Sequence, residues 1–297
     1  MKQKLTGAGA CFIPGLACRQ NHKSLPLVPA LYDAHNHLQD ERLASVRAQV
    51  LESVRHENVR GMVVNGSSEQ DWPEVLDLAR QHPEVLPSFG YHPWFIKERT
   101  PNWEQRLMDF VDQIPAGIGE IGLDRWIKDF NIADQELVFV AQLRLAAKRS
   151  LPVSIHCLQA WGRLLELLRE HPRPSCGFVL HSFGGPKEMV PALAELGAYF
   201  SLPGYYAHDR KARQREAFKT VPGDRLLLET DAPDQSLPPE RVRHNLADPK
   251  TGKSINHPAN LAAVYDFAAE LFEEPVEMLA TRVEENFKRL FGALMTR

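Results

Sequence analysis

From Leu31 to its C-terminus the chain repeats one alternation, a short apolar run followed by an amphipathic stretch, without a linker-like shift in composition. Strands are expected near 31–35, 60–65, 85–90, 116–121, 152–157, 177–182, 198–201 and 225–231, where β-branched and apolar residues concentrate and turn residues close each run. Helices are expected over 40–57, 69–82, 102–114, 133–149, 159–171, 186–196, 208–220, 257–272 and 275–293. Eight strands, each followed by a helix, are the sequence form of a parallel (β/α)8 TIM barrel, an α/β fold of about 250 residues with its reactive groups at the C-terminal ends of the strands. The 297 residues hold one such domain, expected over 31–297, after an N-terminal extension over 1–30 whose role the sequence does not give.

With 43% hydrophobic and 25% charged residues, the composition is that of a globular chain rather than a disordered one. A formal charge of −3 gives no overall attraction to nucleic acid or to an anionic membrane, so any polyanion must be held locally. No run approaches the roughly 18 apolar residues of a membrane span. Lys2 and Lys4 precede a short apolar stretch, but Pro14 and Gly15 interrupt it and Arg19 ends it, which is short for a secretory signal. Cys11, Cys18, Cys157 and Cys176 form no CxxC pair, and the expected location is the reducing cytoplasm.

The stretch Tyr32 to Asp40, YDAHNHLQD, sets His35 and His37 two residues apart at the end of an apolar strand. Alternate strand residues share a face, so both imidazoles point into one space and can begin a divalent-metal site. Glu120 ends AGIGE, His156 ends PVSIH, His181 ends GFVLH and Asp231 ends RLLLETD, each at the tip of a separate expected strand. Read one at a time, each histidine is equally a hydrogen-bonded core residue. Together, His35, His37, Glu120, His156, His181 and Asp231 converge on one rim of a barrel. A mixed nitrogen and oxygen set with a carboxylate able to bridge suits two adjacent ions better than one closed structural site.

His92, in SFGYHPW, falls on the same rim, where it protonates a leaving group, holds a phosphate, or only starts the loop before Pro93. His82 and His171 read as helix caps before proline, and His22 and His56 as surface residues. Cys157 should point away from the site. The connection between Asp231 and His257 far exceeds the usual loop of about 2 to 6 residues and is expected to build part of a substrate cleft, a surface insertion being the alternative. Arg210, Lys211, Arg213, Arg215 and Lys219 either attract a nucleic-acid backbone or form a solvated helix face. Trp94, Tyr205 and Tyr206 are the candidate base-stacking platforms.

These motifs resemble those of the TatD family of metal-dependent hydrolases, a branch of the amidohydrolase-like barrels. The resemblance runs from Tyr32 to Leu294 through DAHNHL, GYHPW, GEIGLD, IHC, LHSFGG, LETDAP and NFKRLF. It implies a phosphodiesterase, commonly a deoxyribonuclease with 3′ to 5′ exonuclease action, using Mg²⁺ or a similar ion such as Mn²⁺ or Zn²⁺. It also places Glu120 where many amidohydrolases carry a carbamylated lysine. Three departures stand out. Leu158 follows IHC where the family often has arginine, Trp94 stands where it often has histidine, and His257 lies between Asn256 and Pro258 where it often has glutamate.

The expected reaction is phosphodiester hydrolysis by a hydroxide bridging two divalent ions, with single-stranded DNA as substrate. His35, His37, Glu120 and Asp231 would hold one ion, and Glu120, His156 and His181 the other. Asp231, Glu120 and His92 are the expected catalytic residues, and His92, Trp94, Arg241 and His257 the expected substrate contacts. Two competitors remain: a hydrolase of a small ester, lactone, amide or phosphoester, favoured by Leu158, and a non-catalytic binding subunit that keeps a structural metal.

Overall fold

The computed structural model describes residue 1 and residues 29–128 and 131–296, so His22 and nearly all of the expected extension lie outside the described residues. Eight strands lie parallel in sequence order. They are β1 (Leu31–Asn36), β2 (Val59–Asn65), β3 (Val85–Phe89), β4 (Gly117–Asp124), β5 (Val153–Leu158), β6 (Phe178–Leu180), β7 (Ala198–Pro203) and β8 (Leu226–Glu229). The helices between them are α1 (Arg47–His56), α2 (Trp72–Gln81), α3 (Trp103–Val111), α4 (Ile132–Arg149), α5 (Trp161–Glu170), α6 (Val190–Glu195) and α7 (Ala212–Phe218), followed by α8 (Leu261–Phe272) and α9 (Val276–Phe291). This is the expected TIM barrel. The strands are almost entirely buried, which is why they read as near-continuous apolar runs.

The ring closes between β8 and β1. Asp231 N–H donates to the His35 carbonyl (3.0 Å) and His37 N–H to the Ala232 carbonyl (2.8 Å). The buried Asp33 carboxylate accepts both the N–H (3.0 Å) and the hydroxyl (2.6 Å) of Thr230. At the opposite end of the barrel, Phe287, Leu290 and Phe291 of α9 pack into the interior against Tyr32, Val63, Leu86 and Leu227. One end is thus an apolar plug, and the polar groups collect at the other.

Several boundaries differ from the sequence reading, and three of them bear on the rim. β4 runs on to Asp124, whereas β6 stops at Leu180 and β8 at Glu229. His181 and Asp231 therefore stand just beyond their strands. Ser182 (φ 44°) and Asp231 (φ 53°) adopt left-handed backbone there, which ends the ladder and turns the chain onto the rim. The long connection contains a small antiparallel pair, β9 (Leu246–Ala247) with β10 (Ser254–Ile255), and folds back where Asn256 N–H meets the Pro233 carbonyl (2.8 Å). No helix among the described residues is long and apolar enough to cross a membrane.

Candidate metal-dependent active site

Glu120, buried on β4, is the centre of the rim, and its two carboxylate oxygens face different neighbours. Oε2 lies 3.3 Å from Nε2 of His35 and 3.3 Å from Nε2 of His37. The same two nitrogens lie 3.6 Å from Asp231 Oδ1. On the other side, Oε1 lies 3.1 Å from His156 Nδ1, 3.2 Å from His181 Nε2 and 3.4 Å from His92 Nε2. The structure thus gathers His35, His37, Glu120, His156, His181, Asp231 and His92 into two donor groups that share one carboxylate. The approach is close because β4 carries glycine on both sides of Glu120. A Cβ on Gly119 would stand 2.7 Å from Ser88 Oγ and 2.8 Å from Asn65 Oδ1, and one on Gly122 would overlap the His156 carbonyl.

A second layer, which the sequence reading did not single out, holds the imidazoles in place. His156 Nε2 lies 3.0 Å from Asp124 Oδ2, His181 Nδ1 3.5 Å from Glu229 Oε1, His35 Nδ1 2.7 Å from Ser154 Oγ and His37 Nδ1 2.9 Å from the Asn65 carbonyl. Glu229 in turn accepts the N–H (2.7 Å) and hydroxyl (2.5 Å) of Ser182. Gln235, from the long connection, donates one amide nitrogen to Asp231 Oδ2 (2.6 Å) and to Ser182 Oγ (2.7 Å). Strand periodicity was the signal that could have found several of them. Asp124 is on the Glu120 face of β4, Ser154 stands two residues before His156, and Glu229 two before Asp231.

The field is uneven in a way that fits cations. Burial alone would raise the pKa of Glu120, but the surrounding His92, His181 and His35 outweigh it and hold the carboxyl well below its usual range. The reverse holds for His37, where burial is outweighed by Glu120 and the pKa rises to about 9, and for His181, raised well above its ordinary value by Glu120, Glu229 and Asp231 against burial. Burial, with His181 beside it, drives His35 down to about 3. Burial also lifts Asp231 to about 6. Asp124 stays ionised, because the hydrogen bonds from His156 and Trp94 outweigh burial and hold it at about 2. A buried carboxylate that draws protons onto its histidines is a centre in need of positive charge. Two divalent cations would supply it through the same mixed nitrogen and oxygen donors, which suit Zn²⁺, Mn²⁺ or a carboxylate-bound Mg²⁺.

The remaining expected residues divide. Trp94 stands at the rim, half exposed, with its indole N–H on Asp124 Oδ2 (2.7 Å). Arg241 does not join the donor groups. Its guanidinium pairs with Glu270 of α8 (2.7 Å) beside the Phe267 ring, because the 3-10 turn at Pro239–Arg241 faces that helix. His257 is buried away from them, its Nδ1 accepting the Ala259 N–H (3.0 Å) to cap a turn, with its ring 5.1 Å from that of His244. Tyr206 is largely buried, its hydroxyl on the Ser182 carbonyl (2.7 Å), and it adds a part of the cleft lining beside Lys211. Cys157 lies in the hydrophobic core, where burial pushes its thiol far up. His82 and His171 cap α2 and α5, and His56 is exposed.

Next to His156 and His181 opens a cleft of about 850 Å³, walled by Trp126, Leu158, Tyr205, Leu237 and Val242, with Lys211 at its edge. Gln235 to Val242 come from the long connection, which therefore builds one wall. Of the basic residues after β7, Lys211 lines the cleft, its Nζ 4.7 Å over the Tyr205 ring. Arg215 instead donates to the carbonyls of Tyr206 (2.8 Å) and His208 (2.7 Å), and Lys219 pairs with Glu216 (2.9 Å).

Comparison with known proteins adds a family. The profile of the family described as TatD related DNase matches residues 32–292. The 3′-5′ ssDNA/RNA exonuclease TatD of Escherichia coli is 31% identical over 265 residues, covering 88% of this chain and 99% of its own length. The protein of the same name from Erwinia tasmaniensis is 33% identical over 269 residues, covering 88% of this chain and 100% of its own. The crystal structure of YJJV, a TatD homolog from Escherichia coli, superposes with a TM-score of 0.81 at 25% identity over 90% of this chain and 99% of that one.

Proposed function

Because this chain belongs to the TatD related DNase family, we propose that it is a two-metal phosphodiesterase that removes nucleotides from the 3′ end of single-stranded DNA. The observation that carries the reading is the division of Glu120, with Oε2 facing His35, His37 and Asp231 and Oε1 facing His156 and His181. Bound there, two divalent ions, with Mg²⁺ first among the candidates, would supply a water of lowered pKa and positive charge for the phosphate.

The rest falls to the chain's own residues. His35, His37, Glu120 and Asp231 would hold one ion, and Glu120, His156 and His181 the other. Gln235 fixes Oδ2 of Asp231, and burial raises that carboxylate's appetite for a proton, so Asp231 is the group to accept one from the attacking water. The cleft opens beside His156 and His181, and Tyr205 and Trp126 in its walls offer faces to a nucleobase. Lys211, rather than Arg241, is the basic residue at hand for the backbone.

The apolar wall around Leu158 also favours a second reading, hydrolysis of a small ester with an apolar group. Oligonucleotides of DNA and RNA labelled at either end, incubated with Mg²⁺, Mn²⁺ or Zn²⁺, separate the two. A ladder shortening from the 3′ end of single strands and stopped by chelator is the expected result. Inactivity on every nucleic acid with every metal would leave the ester hydrolase standing.

A further inference from the structure

Five histidines face Glu120, each with one nitrogen. In a neutral imidazole the partner of the outer nitrogen decides whether the inner one carries a lone pair or a hydrogen. His37 sets Nδ1 against the Asn65 carbonyl, which only accepts, so Nδ1 carries the hydrogen and Nε2 faces inward bare. His156 sets Nε2 against the ionised Asp124, which leaves Nδ1 bare. His181 Nδ1 stands 3.5 Å from Glu229 Oε1, a distance that does not fix its tautomer. His35 sets Nδ1 between Ser154 Oγ (2.7 Å), a hydroxyl that donates or accepts, and the Asn65 amide nitrogen (3.1 Å), so its outer contacts do not fix its tautomer. His37 and His156 thus present a lone pair inward, as a metal ligand must.

His92 is the reverse. Its Nδ1 accepts the backbone N–H of Trp94 (3.2 Å), a donor that cannot be turned round. The turn is fixed on both sides, since His92 N–H donates to the Ser67 carbonyl (2.9 Å) and Phe95 N–H to the His92 carbonyl (3.0 Å). The hydrogen of the neutral ring is therefore on Nε2, aimed into the site. At 3.4 Å from Glu120 Oε1, that nitrogen is only slightly farther than those of His156 (3.1 Å) and His181 (3.2 Å), and distance alone would admit it as a fourth ligand.

We infer that His92 is not a metal ligand but the inward N–H donor of the site, which hydrogen-bonds a non-bridging oxygen of the scissile phosphate. The inference rests on the phosphodiesterase reading for its ligand but not for its tautomer. Such a donor matters most where negative charge grows on the phosphoryl oxygens, and removing one costs about 10² to 10³ in rate.

The test uses the full chain loaded with Zn²⁺ or Mg²⁺. With ¹⁵N-labelled histidine, the His92 ring, identified by its loss in His92→Gln, is expected to carry its hydrogen on Nε2. His37 should carry its hydrogen on Nδ1. His92→Ala is expected to bind both ions with wild-type affinity while kcat falls about 10²-fold, and His92→Gln, which keeps an N–H near the Nε2 position, recovers most of that loss. Loss of one ion in His92→Ala, or an Nδ1–H tautomer in the loaded wild type, would overturn the inference. Should His92→Ala fail to fold, the wild-type spectrum still decides. Should the wild type turn over no nucleic acid, the tautomer and the ion count remain readable, so failure of the functional reading stays distinct from failure of this one.

Discussion

Asp124 shows how much one side chain outside the ion-binding groups can set. Its Oδ2 holds His156 Nε2 (3.0 Å) and the Trp94 indole (2.7 Å), and its Oδ1 accepts the Trp126 N–H (2.7 Å). One carboxylate thus fixes a ligand's tautomer and two aromatic residues of the rim. Asp124→Asn keeps the size but loses the charge, and it is expected to weaken binding of the second ion about 10- to 100-fold, as loss of such a partner typically does. The first donor group has no contact with Asp124, and an ion there should bind as before. Calorimetric titration of both ions checks this, and equal weakening of the two would show that the donor groups are not separable. The sequence made the metal-capable tips legible because each closes an apolar run with a polar residue. Ser154 and Glu229 lie inside those runs, and Asp124 lies beyond the expected end of its strand, so only strand periodicity pointed to them. The sequence hid Asn65 because an asparagine at a strand tip carries no metal signature, although its backbone carbonyl is what turns His37.

At the level of the element, β4 is the strand on which the site depends, since its glycines let Glu120 reach both donor groups. Gly122 cannot take a side chain, because a Cβ there would overlap the His156 carbonyl on the neighbouring β5. Gly122→Ala is therefore expected to cost about 3 kcal/mol, the upper part of the usual range for overpacking, and to displace His156. Urea unfolding measures the loss. Gly162, on the exposed face of α5 with nothing within 4 Å of its Cβ position, supplies the control, where alanine should add about 0.5 to 1 kcal/mol. A Gly122→Ala protein as stable as wild type would mean that β4 and β5 can move apart without loss. Element order and type were legible from apolar runs and helical periodicity. The early ends of β6 and β8 were not, because Ser182 and Asp231 take left-handed backbone without being glycine. The long connection has no periodicity, so nothing in its sequence told Gln235, which reaches Asp231, from Arg241, which pairs with Glu270.

For the whole molecule, the two donor groups are contributed by or just beyond five strands, from His35 at β1 to Asp231 after β8, so they meet only when the barrel is closed. The unfolded chain has no such gathering, and ions that bind the native state alone must stabilise it. At a free concentration of 100 times Kd, each ion contributes about 2.7 kcal/mol. For a domain of this size class, about 2 to 4 °C of Tm follow each kcal/mol, so removing one such ion should lower Tm by roughly 5 °C or more. Chelator is therefore expected to lower the melting temperature of wild type by about twice the shift produced by one ion. His181→Ala, with the second donor group broken and the first intact, should show about half the chelator response. Phe287→Ala, in the plug at the other end of the barrel, should lose about 3 to 5 kcal/mol with the full response retained, which separates general weakening from loss of an ion. Scanning calorimetry at fixed free metal decides it. A wild-type melting point indifferent to chelator would mean that the closed barrel binds no ion tightly, and the two-metal reading would go with it.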